Sequence, residues 1–169
     1  MLPHARPGGI TGLLEIMIER EGAYDIHQLA DDLGFELDDL LPLVDAGSML
    51  GFLNVSEGKL EMTPEGRRFA EAEITERKEL FREAVLAHVT LVRQIARTLA
   101  SRSGKSVSDE FFHDILDDHF SEDETVRQLE TAIHWGRYAE LFDYDAVGKK
   151  FFIPEENETT AASDPGAQV

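Results

Sequence analysis

The stretch that decides the fold is Leu50-Gly51-Phe52-Leu53-Asn54-Val55-Ser56-Glu57-Gly58-Lys59-Leu60-Glu61-Met62. Two short runs with alternating apolar residues flank Ser56-Glu57-Gly58. A glycine there supplies the positive backbone angle a tight hairpin needs. A similar arrangement returns near the other end of the chain. Ala139-Glu140-Leu141-Phe142-Asp143-Tyr144 leads through Asp145-Ala146-Val147-Gly148 into Lys149-Lys150-Phe151-Phe152-Ile153. In each half, a helical run precedes the hairpin.

Ahead of the first hairpin, Ile10, Leu13, Leu14 and Met17 recur at helical spacing, predicting a helix that ends near Gly22. Ile26, Leu29, Ala30 and Leu33 give a second, stopped by Gly34. Leu37, Leu40, Leu41 and Val44 give a third, with Pro42 disturbing its early turns. After the hairpin, Thr63 is placed to cap a further helix, with Pro64 at its first position. Three helices followed by a two-stranded wing are the signature of a winged helix.

From Glu76 to Arg102 there is no Gly or Pro, which predicts one long helix of about 40 Å. Its stripe of Phe81, Val85, His88, Val92, Ile95 and Leu99 suits a central helix packed against both halves, with His88 partly buried. A homodimer seam along residues 76–102 is the alternative use of the same stripe. Ser103-Gly104-Lys105-Ser106 then interrupts the helix. Phe111, Phe112, Ile115, Leu116 and Phe120 share a face of the next one. Ser121 and Glu124 have capping-box spacing before Val126, Leu129 and Ile133. The expected architecture is mainly α with small β-hairpins: two tandem winged-helix-like units joined by a long central helix. Residues 1–9 read as a flexible lead-in, 10–73 as the first unit and 76–154 as the long helix plus the second unit. Residues 155–169 read as a disordered acidic tail.

The chain has 169 residues, no cysteine and a formal charge of −18. Without cysteine there is no disulfide framework and no thiolate chemistry. No apolar run approaches the twenty or so residues that span a bilayer. The broken sequence Met1-Leu2-Pro3-His4-Ala5-Arg6-Pro7-Gly8-Gly9 does not read as a signal peptide, so a cytoplasmic location is expected. The 34 acidic against 16 basic residues repel nucleic acid and anionic membrane alike.

That charge falls where a DNA reader needs the opposite sign. A recognition helix carries Arg, Lys, Asn or Gln on its outer face. Here the third helix offers Glu36, Asp38, Asp39 and Asp45, and residues 10–66 hold thirteen acids against Arg20 and Lys59. In the second half, Arg127 and Arg137 stand among Glu122, Asp123, Glu124 and Glu130, and Lys149-Lys150 give only the second wing a basic tip. These acidic and basic positions are the expected interaction residues. Protein contact is the favoured use of the fold, and a DNA-binding transcriptional regulator is the alternative.

Signs of catalysis are sparse. Gly104-Lys105-Ser106 ends like a phosphate-binding loop, but Leu99 stands where that pattern needs a glycine. His113, Asp117 and His119 are the densest set of metal-ligand types. His113 and Asp117 can share a helical face, while His119 points elsewhere, so a solvated acidic helix is the preferred reading. Trp135 and Tyr138 read as core anchors, with Gly136 admitting a close neighbour. No catalytic residue, cofactor or resident metal is assigned.

Two blocks point to a family: Glu76-Arg77-Lys78-Glu79-Leu80-Phe81-Arg82-Glu83, and Gln128-Leu129-Glu130-Thr131-Ala132-Ile133-His134-Trp135-Gly136-Arg137-Tyr138-Ala139-Glu140-Leu141-Phe142. With Leu37-Asp38-Asp39-Leu40-Leu41-Pro42, Leu50-Gly51-Phe52 and Thr63-Pro64-Glu65-Gly66, the chain resembles the C-terminal AAA-associated domain. That domain follows the ATP-binding cassette of nitrate/sulfonate/taurine-type ABC transporter ATPases. The resemblance covers roughly residues 10–154. It implies a non-catalytic accessory or regulatory domain that partners an ABC transporter ATP-binding subunit, placing the chain at the inner face of the membrane through that partner. The cassette is absent, so no nucleotide-binding residue carries over.

Overall fold

Helices and short strands alternate in one order twice over. The computed structural model describes residues 1–20 and 23–155. The first half runs α1 (Pro7–Glu19), β1 (Tyr24–Asp25), α2 (Ile26–Leu33), α3 (Leu37–Met49), β2 (Leu53–Ser56) and β3 (Lys59–Met62). Next come α4 (Pro64–Glu71) and α5 (Ile74–His88). The second half runs α6 (Thr90–Ser101), β4 (Ser106–Ser108), α7 (Glu110–Asp117), α8 (Glu122–Tyr138), β5 (Asp143–Asp145) and β6 (Lys150–Phe152). The molecule is thus mainly helical, with two small antiparallel sheets of orders β1-β3-β2 and β4-β6-β5.

The capping signals act as their chemistry requires. Thr63 Oγ1 accepts from the Gly66 amide at 3.0 Å, and Pro64 occupies the first helical position. Ser121 Oγ accepts from the Glu124 amide at 3.3 Å. The reciprocal half of that box is missing, because Glu124 turns to Gln128 and His4 instead. Asp25 caps α2 through the His27 and Gln28 amides. The hairpins turn differently. Glu57 and Gly58 both have positive φ (50° and 75°), which matches the strand twist in a two-residue loop. The longer second loop is held by Asp145 Oδ1, which accepts from the Val147 and Gly148 amides.

One apolar cluster runs through both halves. Its spine is aromatic. Phe52 stacks on Phe69 with ring centroids 4.6 Å apart, and Phe69 meets Phe81 at 6.2 Å. Phe81 then takes the edges of Trp135 at 5.7 Å and Tyr138 at 4.9 Å. A second set, Phe112 and Phe142 against Phe151, packs the small sheet of the second half. Two glycines permit close approaches that a side chain would block. A Cβ on Gly66 would run into the Phe52 carbonyl, and one on Gly136 would enter the Phe142 ring.

Several expectations are corrected. Residues 76–102 do not form one helix, because Val89 takes an extended conformation (φ −110°, ψ 98°) between α5 and α6. Val89 is buried, and it and Thr90 are β-branched, with lower helix propensity than straight-chain residues. The carbonyls freed at the break are taken by Arg93, whose Nη1 donates to Leu86 O at 2.8 Å and Ala87 O at 3.1 Å. Bending there lets both helices pack on α8. Phe81, Val85, Val92, Ile95 and Leu99 lie in the chain's own core, so this stripe offers no seam to a second copy. His88, placed with them by periodicity, is exposed at the break. On α7 only Phe112 and Leu116 are buried, while Phe111 and Ile115 face solvent.

The opening residues are docked rather than loose, and α1 begins at Pro7. Leu2 and Ala5 are buried. Leu2 donates its amide to Gln128 Oε1 at 2.7 Å and accepts at its carbonyl from Gln128 Nε2 at 2.9 Å. Two strands, β1 and β4, complete the sheets and were not anticipated; each has at most three residues, too few to show a period. Gly104-Lys105-Ser106 consequently opens onto β4 rather than joining helix directly to helix. The expected acidic tail, apart from Glu155, lies outside the described residues.

Candidate interaction surfaces

Glu36 lies just before α3, and Asp38, Asp39 and Asp45 are carried on it; all four side chains are exposed. Burial of Leu40 and Val44 on the opposite face forces this orientation, since residues four apart share a helical side. Asp38 and Asp39 sit in the first turn, where carboxylates complement the helix dipole. Phe35, 46% exposed, and Leu41, 37% exposed, stand among these acids. The surface therefore combines negative charge with two apolar contacts, a mixture suited to a protein partner and unsuited to a phosphate backbone.

The helix at the same place in the second half is arranged otherwise. Along α8, Glu124, Gln128, Thr131 and Trp135 form one stripe, and residues 2–5 lie across it. The Gln128 amide donates to Glu124 Oε1 at 2.7 Å as well as to Leu2 O. Trp135 Nε1 donates to Ala5 O at 2.7 Å. The His4 ring lies 3.2 Å from Thr131 Oγ1 and 3.0 Å from Glu124 Oε1. The Gln128 hydrogen bond holds the Glu124 carboxyl below its ordinary value, against the pull of partial burial, with His4 and Arg127 adding to the effect. Farther along, His134 is pushed down by burial and then by the charges of Arg6 and Arg137.

The basic positions expected from sequence do not form one patch. Arg127 is exposed, 4.0 Å from Glu124. Arg137 is committed to Asp143 at 2.7 Å, tying the end of α8 to β5. Lys149 and Lys150 are exposed at the second turn. Their neighbour Asp145 is held below the usual carboxylate value, chiefly by the Gly148 amide, with help from the Val147 amide and Lys150. Behind the turn, Tyr144 Oη donates to Asp109 Oδ2 at 2.6 Å. Burial, that hydrogen bond and the nearby negative charges push the phenol up to about 12.

His113 is half-buried, and Asp117 and His119 are exposed. Among the described residues, no group of three or more His, Asp or Glu side chains is placed to hold a metal ion. Sequence reading missed the two features that most shape the surface. The first is the segment 2–5 over α8. The second is an arginine-lined groove between α5, α6 and the end of α8. Both depend on residues far apart in the chain, and only the apolar Leu2 gave any local signal.

Among the described residues, no helix is long and apolar enough to cross a membrane. No curated protein and no solved structure matches the sequence. The family model for the C-terminal AAA-associated domain, an accessory domain linked to an ATPase, matches residues 27–145. That match takes in β2 to β5, the break at Val89 and the whole of α8, more than half of the chain, and the chain accordingly belongs to the C-terminal AAA-associated domain family.

Proposed function

We propose that the chain is a non-catalytic regulatory module that acts by protein contact on an ABC transporter ATPase of the nitrate/sulfonate/taurine import type. The family match carries the reading, since it ties the chain to an ATPase. The open acidic helix α3, with Phe35 and Leu41 among its carboxylates, is the contact surface we assign to that partner. Glu36, Asp38, Asp39 and Asp45 supply its charge, and Arg127, Arg137, Lys149 and Lys150 are secondary contacts. We read residues 10–73 and 76–154 as two winged-helix-like units. The repeated order of helix, strand, two helices and hairpin supports this, as does the matching strand order of the two sheets.

Affinity capture with the full chain under gentle conditions tests the proposal. An ABC ATP-binding subunit, identified by mass spectrometry and lost when Asp38 and Asp39 become Lys, is the expected outcome. Recovery of no transporter component would sink it. The same element order also favours a second reading, a DNA-binding regulator using the Lys149-Lys150 turn. A mobility shift on genomic fragments at low salt decides that one, because phosphate binding is strongest there. No shift at low salt eliminates it.

A further inference from the structure

One groove of this acidic molecule gathers three arginines, of which the reading above uses only Arg137. Arg82 from α5, Arg97 from α6 and Arg137 from α8 line an open depression of 760 Å³. Arg137 is already neutralised by Asp143 at 2.7 Å. Neither Arg82 nor Arg97 pairs with a carboxylate among the described residues. Of the other acids at the rim, Glu140 is held by Lys78 at 3.1 Å, leaving Glu155. Two exposed guanidiniums therefore face one uncommitted carboxylate.

The net charge of the chain does not cancel this site. At physiological salt, exposed charges more than about 8 Å away are largely screened, so the acids of α2 and α3 contribute little here. The floor is apolar, formed by Ala96, Leu141, Phe142 and Ile153. A neighbouring groove of 720 Å³ shares Ile153 and Glu155 and adds Lys105 and Lys150 beside Asp145, continuing the track along the second sheet with mixed charge. Both depressions are open rather than enclosed and adjoin at Ile153 and Glu155, which suits a chain segment better than a small enclosed ion. Interspersed carboxylates along the track (Glu140, Asp143, Asp145 and Glu155) oppose a duplex, whose phosphates recur every ~1.7 Å of axis. A peptide places side chains ~3.3 Å apart on alternating sides and can skip those positions.

We infer that this groove docks an extended acidic peptide segment of a partner protein: Arg82 and Arg97 each take a carboxylate, and the Leu141–Ile153 floor takes an apolar side chain. The guanidinium fork matches a carboxylate with two parallel hydrogen bonds, which gives the site its direction. The site is separate from α3, so the inference does not depend on which protein α3 engages.

Fluorescence anisotropy on the full chain at physiological salt tests it. The probe is a fluorescein-labelled peptide of glutamates with two interspersed leucines. Saturable binding is expected, weakened roughly tenfold by Arg82→Gln with Arg97→Gln, as for losing two charge-assisted contacts. Ala100→Glu, which puts a carboxylate on the groove wall, should weaken it comparably, whereas Lys59→Gln on the distant first hairpin should leave it unchanged. Replacing the leucines of the probe by serine should weaken binding further. Absence of saturable binding, or equal binding by the Arg82/Arg97 variant, overturns the proposal. So does displacement of the peptide by equimolar sulfate or duplex DNA, since either assigns the groove to another class of anion.

Discussion

In the first half of the molecule, α3 turns its acids to solvent; in the second, the helix at the same place in the order, α8, is covered by residues 2–5. The two halves share strand order and hairpin, yet only one leaves that helix face open. Repeated topology therefore does not mean repeated use. A helix face that the chain itself occupies is no longer available for recognition, which is why the contacts we propose lie on α3 and in the groove beside α8. The hairpins differ in the same sense. The first closes through two residues of positive φ, while the second is fastened by Asp145, Arg137 and Tyr144.

The comparison is broken most severely where each helix touches the residue leading into its half's hairpin. Gly66→Ala drives a methyl into the Phe52 carbonyl, which is backbone and cannot yield cheaply. A loss of about 3 kcal/mol is expected, seen as a fall of roughly 10 °C in Tm. Gly136→Ala meets the Phe142 ring instead, and a ring can shift, so the loss there should be smaller. Equal losses would show that the two junctions are equally rigid.

Next in size is Gln128→Ala, which strands the Leu2 amide and carbonyl in a buried place. It should cost about 2 kcal/mol and raise hydrogen exchange at Leu2 and along the α8 stripe, leaving α3 unchanged. Unchanged exchange along α8 would show that the segment does not cover it.

Tyr144→Phe cuts the tie between the second hairpin and Asp109 at the start of α7 and should cost about 1 kcal/mol at neutral pH. Its pH signature is more telling. The folded phenol is raised from 10.0 to about 12, so its stabilisation is complete below pH 10 and disappears as pH rises toward 12. The stability difference between wild type and variant should therefore narrow across that interval in denaturant titrations; a constant difference contradicts the assignment. The smallest effect is expected from Asp38→Asn with Asp39→Asn. These exposed side chains should change stability by under about 0.5 kcal/mol while weakening capture of the partner.

Local chemistry was legible in the sequence wherever one residue acts on its neighbours. Thr63 and Ser121 satisfy amides three residues on, Pro64 removes a donor the first helical turn cannot pair, the Glu57-Gly58 turn closes on itself, and Gly136 announced a close contact. The break at Val89 was hidden because it depends on packing against α8 and on Arg93 taking the freed carbonyls, with no Gly or Pro to mark it. His88 went astray because it is the last residue of α5, where the chain leaves the helix and Val89 is buried in its place. The acidic face of α3 was readable because its burial pattern is local. The groove was not: Arg82, Arg97 and Arg137 come from three helices, and each alone looks like an ordinary surface arginine.

The bond between Leu2 and Gln128 also sets an order of events during synthesis. It spans 126 residues, so residues 2–5 cannot take their place until α8 has been made. At 5–20 residues per second, that delay is about 6–25 s. Through that interval Leu2 and Ala5 are exposed apolar residues on a growing chain, and the first sheet has time to assemble without them. Closing so long a loop costs only slowly more entropy than closing a short one, but it makes this contact among the slowest to form. Docking of residues 2–5 is then the event that reports arrival of α8.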